Sequence, residues 1–233
     1  MEKMTLSIAL SDSLKDETTA CITELAEVGL DSIMDNGVLK DIPFISTAVS
    51  IYKIGNSIKD RHNIKKLLHF LDEINRNLYD INERDKYKKK ITEHEKFRDQ
   101  QLEYLLVLIE RYVGYKKPRY LAKIYLAYLE DKISWEELLQ FSEVIDRFLF
   151  GDCELLCSST EFVTQRDTGV EGLLRLIGSG LVVEKIRKSN VSVDGGTIEI
   201  DKPEIMELQE KKYHRTQFGN KLVEVLTMSS VEK

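Results

Sequence analysis

Apolar side chains recur at helical spacing along most of this chain, and almost nothing in it breaks a helix. Only 3 Pro and 12 Gly occur among 233 residues, and these are the two residues a helix interior tolerates least. A chain of this pattern folds mainly as α-helices. Its 42% apolar content suffices for one large buried core or two small ones and is too high for a disordered chain.

The periodicity predicts a first helix from Leu6 to Met34, ended by Asp35-Asn36-Gly37, residue types that accept the left-handed backbone of a helix stop. Ile42 to Ile58 carries Lys53 as its only charge, and Pro43 suits a first helical turn. Ile45, Val49 and Tyr52 share one face, and the pattern continues through Ile64, Leu67, Leu68, Leu71, Ile74 and Leu78. One long or kinked helix from Phe44 to Tyr79 is therefore predicted. Asn82 to Lys90 is polar and basic and reads as a connection. Thr92 with Glu95, Ser134 with Glu137 and Thr168 with Glu171 have capping-box spacing and predict helix starts.

The pattern changes after Gly151. Asp152 to Ser159 and Gly169 to Ile177 read as short helices, closed in the second case by Gly178 and Gly180. Leu181 to Arg187 and Val191 to Ile200 read as strands around the turn Asp194-Gly195-Gly196. Tyr213 to Leu226 reads as a strand turning into a closing helix capped by Thr216. The expected fold is mainly α: an N-terminal helical bundle over residues 1–150, then a winged-helix-like element with a small β-hairpin over residues 151–233.

Sites of known chemistry are hard to find. Nucleotide phosphates need a glycine-rich turn between strand and helix, whereas Gly178-Ser179-Gly180 follows a helix. The histidines His62, His69, His94 and His214 include no i, i+4 pair to hold a metal. Cys153 and Cys157 share a helix face without further ligands nearby, and with Cys21 they read as reduced thiols. No Gly-x-Ser-x-Gly elbow is present. The expectation is a protein without catalytic residues, metal or cofactor. The N-terminus lacks the basic and apolar segments of a secretory signal, which points to the cytoplasm.

Charge is distributed unevenly. The whole chain carries 40 acidic and 34 basic residues for a net of -6, so it repels nucleic acid and anionic lipid except at local patches. Residues 1–60 hold 5 basic and 10 acidic side chains, residues 61–121 hold 15 and 10. Lys59, Arg61, Lys65 and Lys66 follow the uncharged stretch directly, and Lys86, Lys88, Lys89 and Lys90 crowd the next connection around Tyr87. An apolar face of Phe44, Ile45, Val49, Ile51, Tyr52, Ile54 and Ile58 beside Lys59, Arg61, Lys65 and Lys66 has the make-up of a helix lying on an anionic membrane. A core helix has the same pattern. Lys185, Arg187 and Lys188 beside the hairpin are the candidate phosphate contacts of a DNA-binding winged helix. Glu171, Glu199, Asp201, Glu204, Glu207 and Glu210 oppose that use and favour a protein-docking element.

Tyr120-Leu121-Ala122-Lys123-Ile124-Tyr125-Leu126-Ala127-Tyr128-Leu129-Glu130, then Ser134-Trp135-Glu136-Glu137, Val144-Ile145-Asp146-Arg147 and Thr216-Gln217-Phe218-Gly219, give the chain a resemblance to the abortive-infection alpha family. The resemblance spans about half of the chain and implies a cytosolic bacterial helical protein with a C-terminal winged-helix-like piece, associated with phage resistance. Asp41 to Lys66 also looks like the amphipathic death-effector helices of membrane-disrupting bundles. The reading at this level is a non-enzymatic defence effector or adaptor acting by protein contacts, with a protein partner or a second copy as its target. It is cytoplasmic, with the 42–58 segment able to engage the inner face of the membrane. The alternative is a winged-helix DNA-binding regulator.

Overall fold

The computed structural model describes residues 4–27, 37–53, 57–78, 81–149, 151–164, 170–185 and 211–227. The described residues form eleven α-helices, one 3-10 turn and a small three-stranded antiparallel sheet. The mainly helical character expected from the sequence is present, and contacts divide the chain into two units between Asp146 and Arg147.

The first unit contains α1 (Leu6–Asp12), α2 (Asp16–Glu27), the 3-10 turn Gly37–Asp41, α3 (Pro43–Tyr52) and α4 (Ile58–Arg76). They are followed by α5 (Ile81–Thr92), α6 (Glu95–Arg111), α7 (Lys116–Leu129) and α8 (Trp135–Arg147). Helix α4 is the hub, packed against α7, α2, α6 and α3, while α1 lies on α5, α3 and α6. The hub buries Ile64, Leu67, Leu68, Phe70, Leu71 and Ile74. Such all-round burial is expected only of a helix with neighbours on several sides.

Several predicted boundaries are corrected. The first predicted helix breaks at Ser13, whose hydroxyl donates to the Ala9 carbonyl and accepts the Phe44 N–H, both at 2.9 Å. This serine is fully buried and joins the end of α1 to the start of α3. The long or kinked helix predicted from Phe44 to Tyr79 is two separate helices. Lys53 adopts the left-handed conformation at φ 49° and closes α3, and Ser57 and Asp60 form a complete capping box that opens α4.

Asn82 to Lys90 is helix α5 rather than a connection. Arg84, Tyr87 and Ile91 lie at i, i+3 and i+7 and are buried, and lysines are good helix formers. Thr92 does not cap α6. Its hydroxyl donates back to the Lys88 and Lys89 carbonyls at the end of α5, and α6 begins after His94, held at φ 55°. Ser134 and Glu137 do form the expected reciprocal box, and Pro43 stands at the start of α3.

The second unit contains α9 (Asp152–Ser158), β1 (Glu161–Thr164), α10 (Val170–Gly178), β2 (Val182–Glu184), β3 (Lys211–Arg215) and α11 (Gln217–Thr227). The strand order is β1-β3-β2, with Phe162 opposite Tyr213 and Val183 opposite His214. Strand β1, four residues long, is too short for a periodic signal and was not expected. The predicted strand Val191 to Ile200 and the Thr168 cap lie outside the described residues. Thr216 caps α11 as expected, accepting the Gly219 N–H at 3.0 Å.

At Gly219 the first turn of α11 passes against the backbone of Leu181. A Cβ added there would sit 2.2 Å from the Leu181 carbonyl oxygen, which itself accepts the Thr216 N–H at 2.9 Å. Gly219→Ala therefore has to displace backbone, and urea unfolding should show a loss of about 2 kcal/mol. His94→Gly, in contrast, removes the strain of a left-handed non-glycine residue. It should raise the unfolding free energy of the first unit by about 0.5–1 kcal/mol in the same measurement.

Candidate functional site

A groove of about 200 Å³ opens between α3, the first turns of α4 and the side of α6. Ala48, Leu67, Leu106 and Ile109 form an apolar floor, and Tyr52, Lys59, Asn63 and Glu110 stand among its polar groups. Helix α3 supplies Ala48 and Tyr52 one turn apart, and the capping box at Ser57 aims Lys59 and Asn63 from α4. Lys59 pairs with Glu110 at 2.8 Å across the groove, and that hydrogen bond holds the ammonium protonated above its ordinary range. The Tyr52 hydroxyl donates to the Glu103 carbonyl at 3.4 Å. Burial, then the Glu103 and Glu110 charges, push its pKa up.

The residues singled out from the 42–58 segment divide between interior and surface. Phe44 and Ile45 are buried in the core and Val49 is half-buried. Ile51, Tyr52 and Ile58 are exposed, Ile58 at 74%. Ile54 lies outside the described residues. The cationic group is also divided. Lys59 is paired as above, Lys65 lies over the Tyr115 ring at 5.3 Å, and Arg61 is half-buried. Lys66 is 2% exposed and donates to the Glu110 and Tyr112 carbonyls at 2.8 and 2.9 Å. These carbonyls lie at the end of α6, where no further helical turn supplies donors. Burial pushes the Lys66 pKa down to about 8, the Glu110 charge opposing the shift.

The second basic cluster is engaged in a similar way. Lys90 donates to the Leu129 carbonyl at the end of α7 and pairs with Asp131, and the Tyr87 hydroxyl donates to Glu130. Burial and the Glu130 hydrogen bond push the Tyr87 pKa up. Lys88 is half-buried, while Lys86 and Lys89 are exposed.

A polar cluster that the sequence did not reveal joins three helices. The Asp72 carboxylate, fully buried on α4, accepts from Thr23 of α2 at 2.8 Å, from Arg76 at 3.0 Å and from Arg119 of α7 at 3.1 Å. Arg119 also donates to Nδ1 of His69 at 3.2 Å, which requires a neutral imidazole. The Tyr115 ring lies between His62 and His69, at centroid distances of 4.8 and 5.0 Å. His62 bonds the Tyr115 hydroxyl at 2.9 Å and the Val113 carbonyl at 3.1 Å. Both oxygens of the buried Asp72 carboxylate are matched by protein donors, as in a structural network.

In the second unit, Arg175 of α10 grips the buried Asp152 carboxylate through Nε and Nη2, with contacts of 2.6–3.2 Å. Lys185 is exposed and lies 3.7 Å from Glu161. Arg187 and Lys188 lie outside the described residues. Cys21, Cys153 and Cys157 form no disulfide among the described residues. Among the described residues no cluster of His, Cys, Asp and Glu is arranged to hold a metal, and no helix is long and apolar enough to cross a membrane. No family model, curated protein or solved structure matches this chain.

The His69 arrangement gives a pH dependence of definite sign. Burial, then the charges of Arg119 and Lys65, lower its pKa from 6.5 to about 4. The unfolded chain therefore binds a proton first, and the contribution of this site, complete above pH 6.5, falls as pH drops through that window. After allowance for solvent screening the loss is on the order of 1–2 kcal/mol. Chemical denaturation at pH 7 and pH 4 should show that His69→Gln, which keeps an acceptor for Arg119 but takes no proton, removes this part of the pH dependence.

Proposed function

We propose that the chain is a non-enzymatic effector or adaptor that works through protein contacts, in the phage-defence role implied by its resemblance to the abortive-infection alpha family. The observation that carries the reading is the open groove between α3, α4 and α6, with an apolar floor and exposed Ile51, Tyr52 and Ile58 nearby. Exposed apolar residues grouped around a concave site mark a place for a partner's side chains.

Protein contact is favoured over a lipid surface by the state of the cations. A headgroup-binding rim needs ammonium groups free to face lipid. Here Lys66 is buried on backbone carbonyls, Lys59 is paired with Glu110, and Lys65 lies over an aromatic ring. Phe44 and Ile45 would have to leave the core before they could enter a bilayer.

For the second unit the order α9, β1, α10, β2, β3, α11 and the strand order β1-β3-β2 support a winged-helix-like reading. We assign it to protein docking. The arginine of α10 is bound to Asp152, and exposed Leu174 stands on the same helix, so the helix presents apolar rather than cationic character to a groove of DNA.

The test is a phage challenge of bacteria producing the full chain or Ile58→Asp. The native chain should lower phage plating, and Ile58→Asp, an exposed position, should reverse this by about tenfold or more while leaving thermal unfolding unchanged. Equal protection by both proteins, or none by the native chain across a phage panel, overturns the reading. Leakage of anionic vesicles by the native chain would instead restore the lipid surface as its target.

A further inference from the structure

Helix α6 is apolar on two sides. Leu102, Leu105, Leu106, Leu108 and Ile109 are buried, yet Phe97, Tyr104 and Val107 on its outer side are 52%, 42% and 47% exposed. Their spacing, seven residues and then three, follows one stripe along the helix, as in the seam by which helices pair. An outward face of a solitary bundle is normally polar. Here it carries three large apolar side chains on a single helix.

The charges on this face identify what covers it. Glu103 and Arg111 are exposed and lie four residues before and four residues after Val107, about 6 Å away along the axis in each direction by the helical rise. Residues 103, 107 and 111 form one i±4 ridge, the element used in the commonest class of helix crossing. If a second copy of α6 lies antiparallel on the first with the two-fold axis at Val107, Glu103 of each copy comes beside Arg111 of the other. An isologous interface requires this self-complementarity. Glu103 makes no ion pair among the described residues, and Arg111, joined to Asp146, keeps a side chain that is 55% exposed.

We propose that the chain forms a symmetric dimer through the outer face of α6, with Val107 at the two-fold axis and reciprocal Glu103–Arg111 pairs on either side. The proposal does not depend on what the groove binds or on a role in phage defence. Phe97 and Tyr104 extend the apolar contact along the same stripe. Trp135, the single tryptophan of the chain, stands edge-on to Tyr104 with ring centroids 6.2 Å apart, and so reports on this face.

Sedimentation equilibrium of the full chain, with tryptophan emission read over the same concentration series, tests the proposal. The native chain should dimerise, with an emission change that tracks the dimer fraction. Val107→Glu should abolish the dimer while leaving the thermal unfolding midpoint equal to that of the native chain at concentrations where both are monomeric. Glu103→Arg and Arg111→Glu should each weaken it by about tenfold or more, and the double exchange should restore it. Asp146→Asn, which removes only the intramolecular partner of Arg111, should leave the dimer intact. A monomer at every concentration up to about 100 μM, about a hundred-fold above a micromolar dissociation constant, overturns the proposal. A dimer indifferent to Val107→Glu places the interface elsewhere, and failure of the double exchange to restore association overturns the antiparallel register.

Discussion

The first unit is organised by a constraint common to every helix: the last turn leaves backbone carbonyls without donors. In this chain cations from other helices supply them. Arg84 of α5 donates to the Leu14 carbonyl just past α1, and Lys66 of α4 donates to Glu110 and Tyr112 at the end of α6. Lys90 of α5 donates to Leu129 at the end of α7, and Lys117 of α7 to Asp146 at the end of α8. Each contact places a positive charge at the negative end of a helix dipole and satisfies an acceptor that would otherwise be desolvated. Because donor and acceptor lie on different helices, each cap also fixes how two helices are arranged. Asp72 does the complementary work in the interior, where one carboxylate gathers donors from α2, α4 and α7.

This use of cations changes the meaning of the basic middle of the sequence. An excess of lysine and arginine inside an acidic chain suggests an anionic partner, whether lipid or nucleic acid. In the folded unit much of that charge faces inward, on carbonyls, carboxylates and aromatic rings. Lys65 over Tyr115 and Arg98 over Tyr128 are further examples. Apolar side chains, by contrast, stay exposed beside the groove at α3 and along the outer side of α6.

The second unit follows the same economy on a smaller scale. Asp152 and Arg175 tie α9 to α10, and Gly219 lets α11 approach the Leu181 backbone, where Thr216 also bonds. The motif Thr216-Gln217-Phe218-Gly219 thus has a local physical reason. Threonine caps the helix, and glycine three residues later leaves room for a carbonyl.

Much of the helical framework was legible in the sequence because its determinants are local. Ser134-Glu137 and Thr216 acted as caps, Pro43 opened a helix, and the stripes of α6, α7 and α8 followed helical spacing. The readings that failed are those in which a local pattern has two solutions. Thr92 and Glu95 have the spacing of a capping box, but Thr92 lies at the end of one helix and the turn at His94 starts the next. Asn82 to Lys90 looks like a solvated connection until Tyr87 and Arg84 find a buried face. The candidate site was half legible: Tyr52 and Lys59 came from the unusual segment and the cations that follow it, but Leu106, Ile109 and Glu110 on α6 lie some fifty residues away and carry no mark of it. What the sequence alone determined was the helical class and the positions of several caps, since spacing and residue type decide these within a few turns. Only the tertiary structure decided which apolar residues face inward and which cations are occupied, because a lysine reads the same whether it meets water or the carbonyls of another helix.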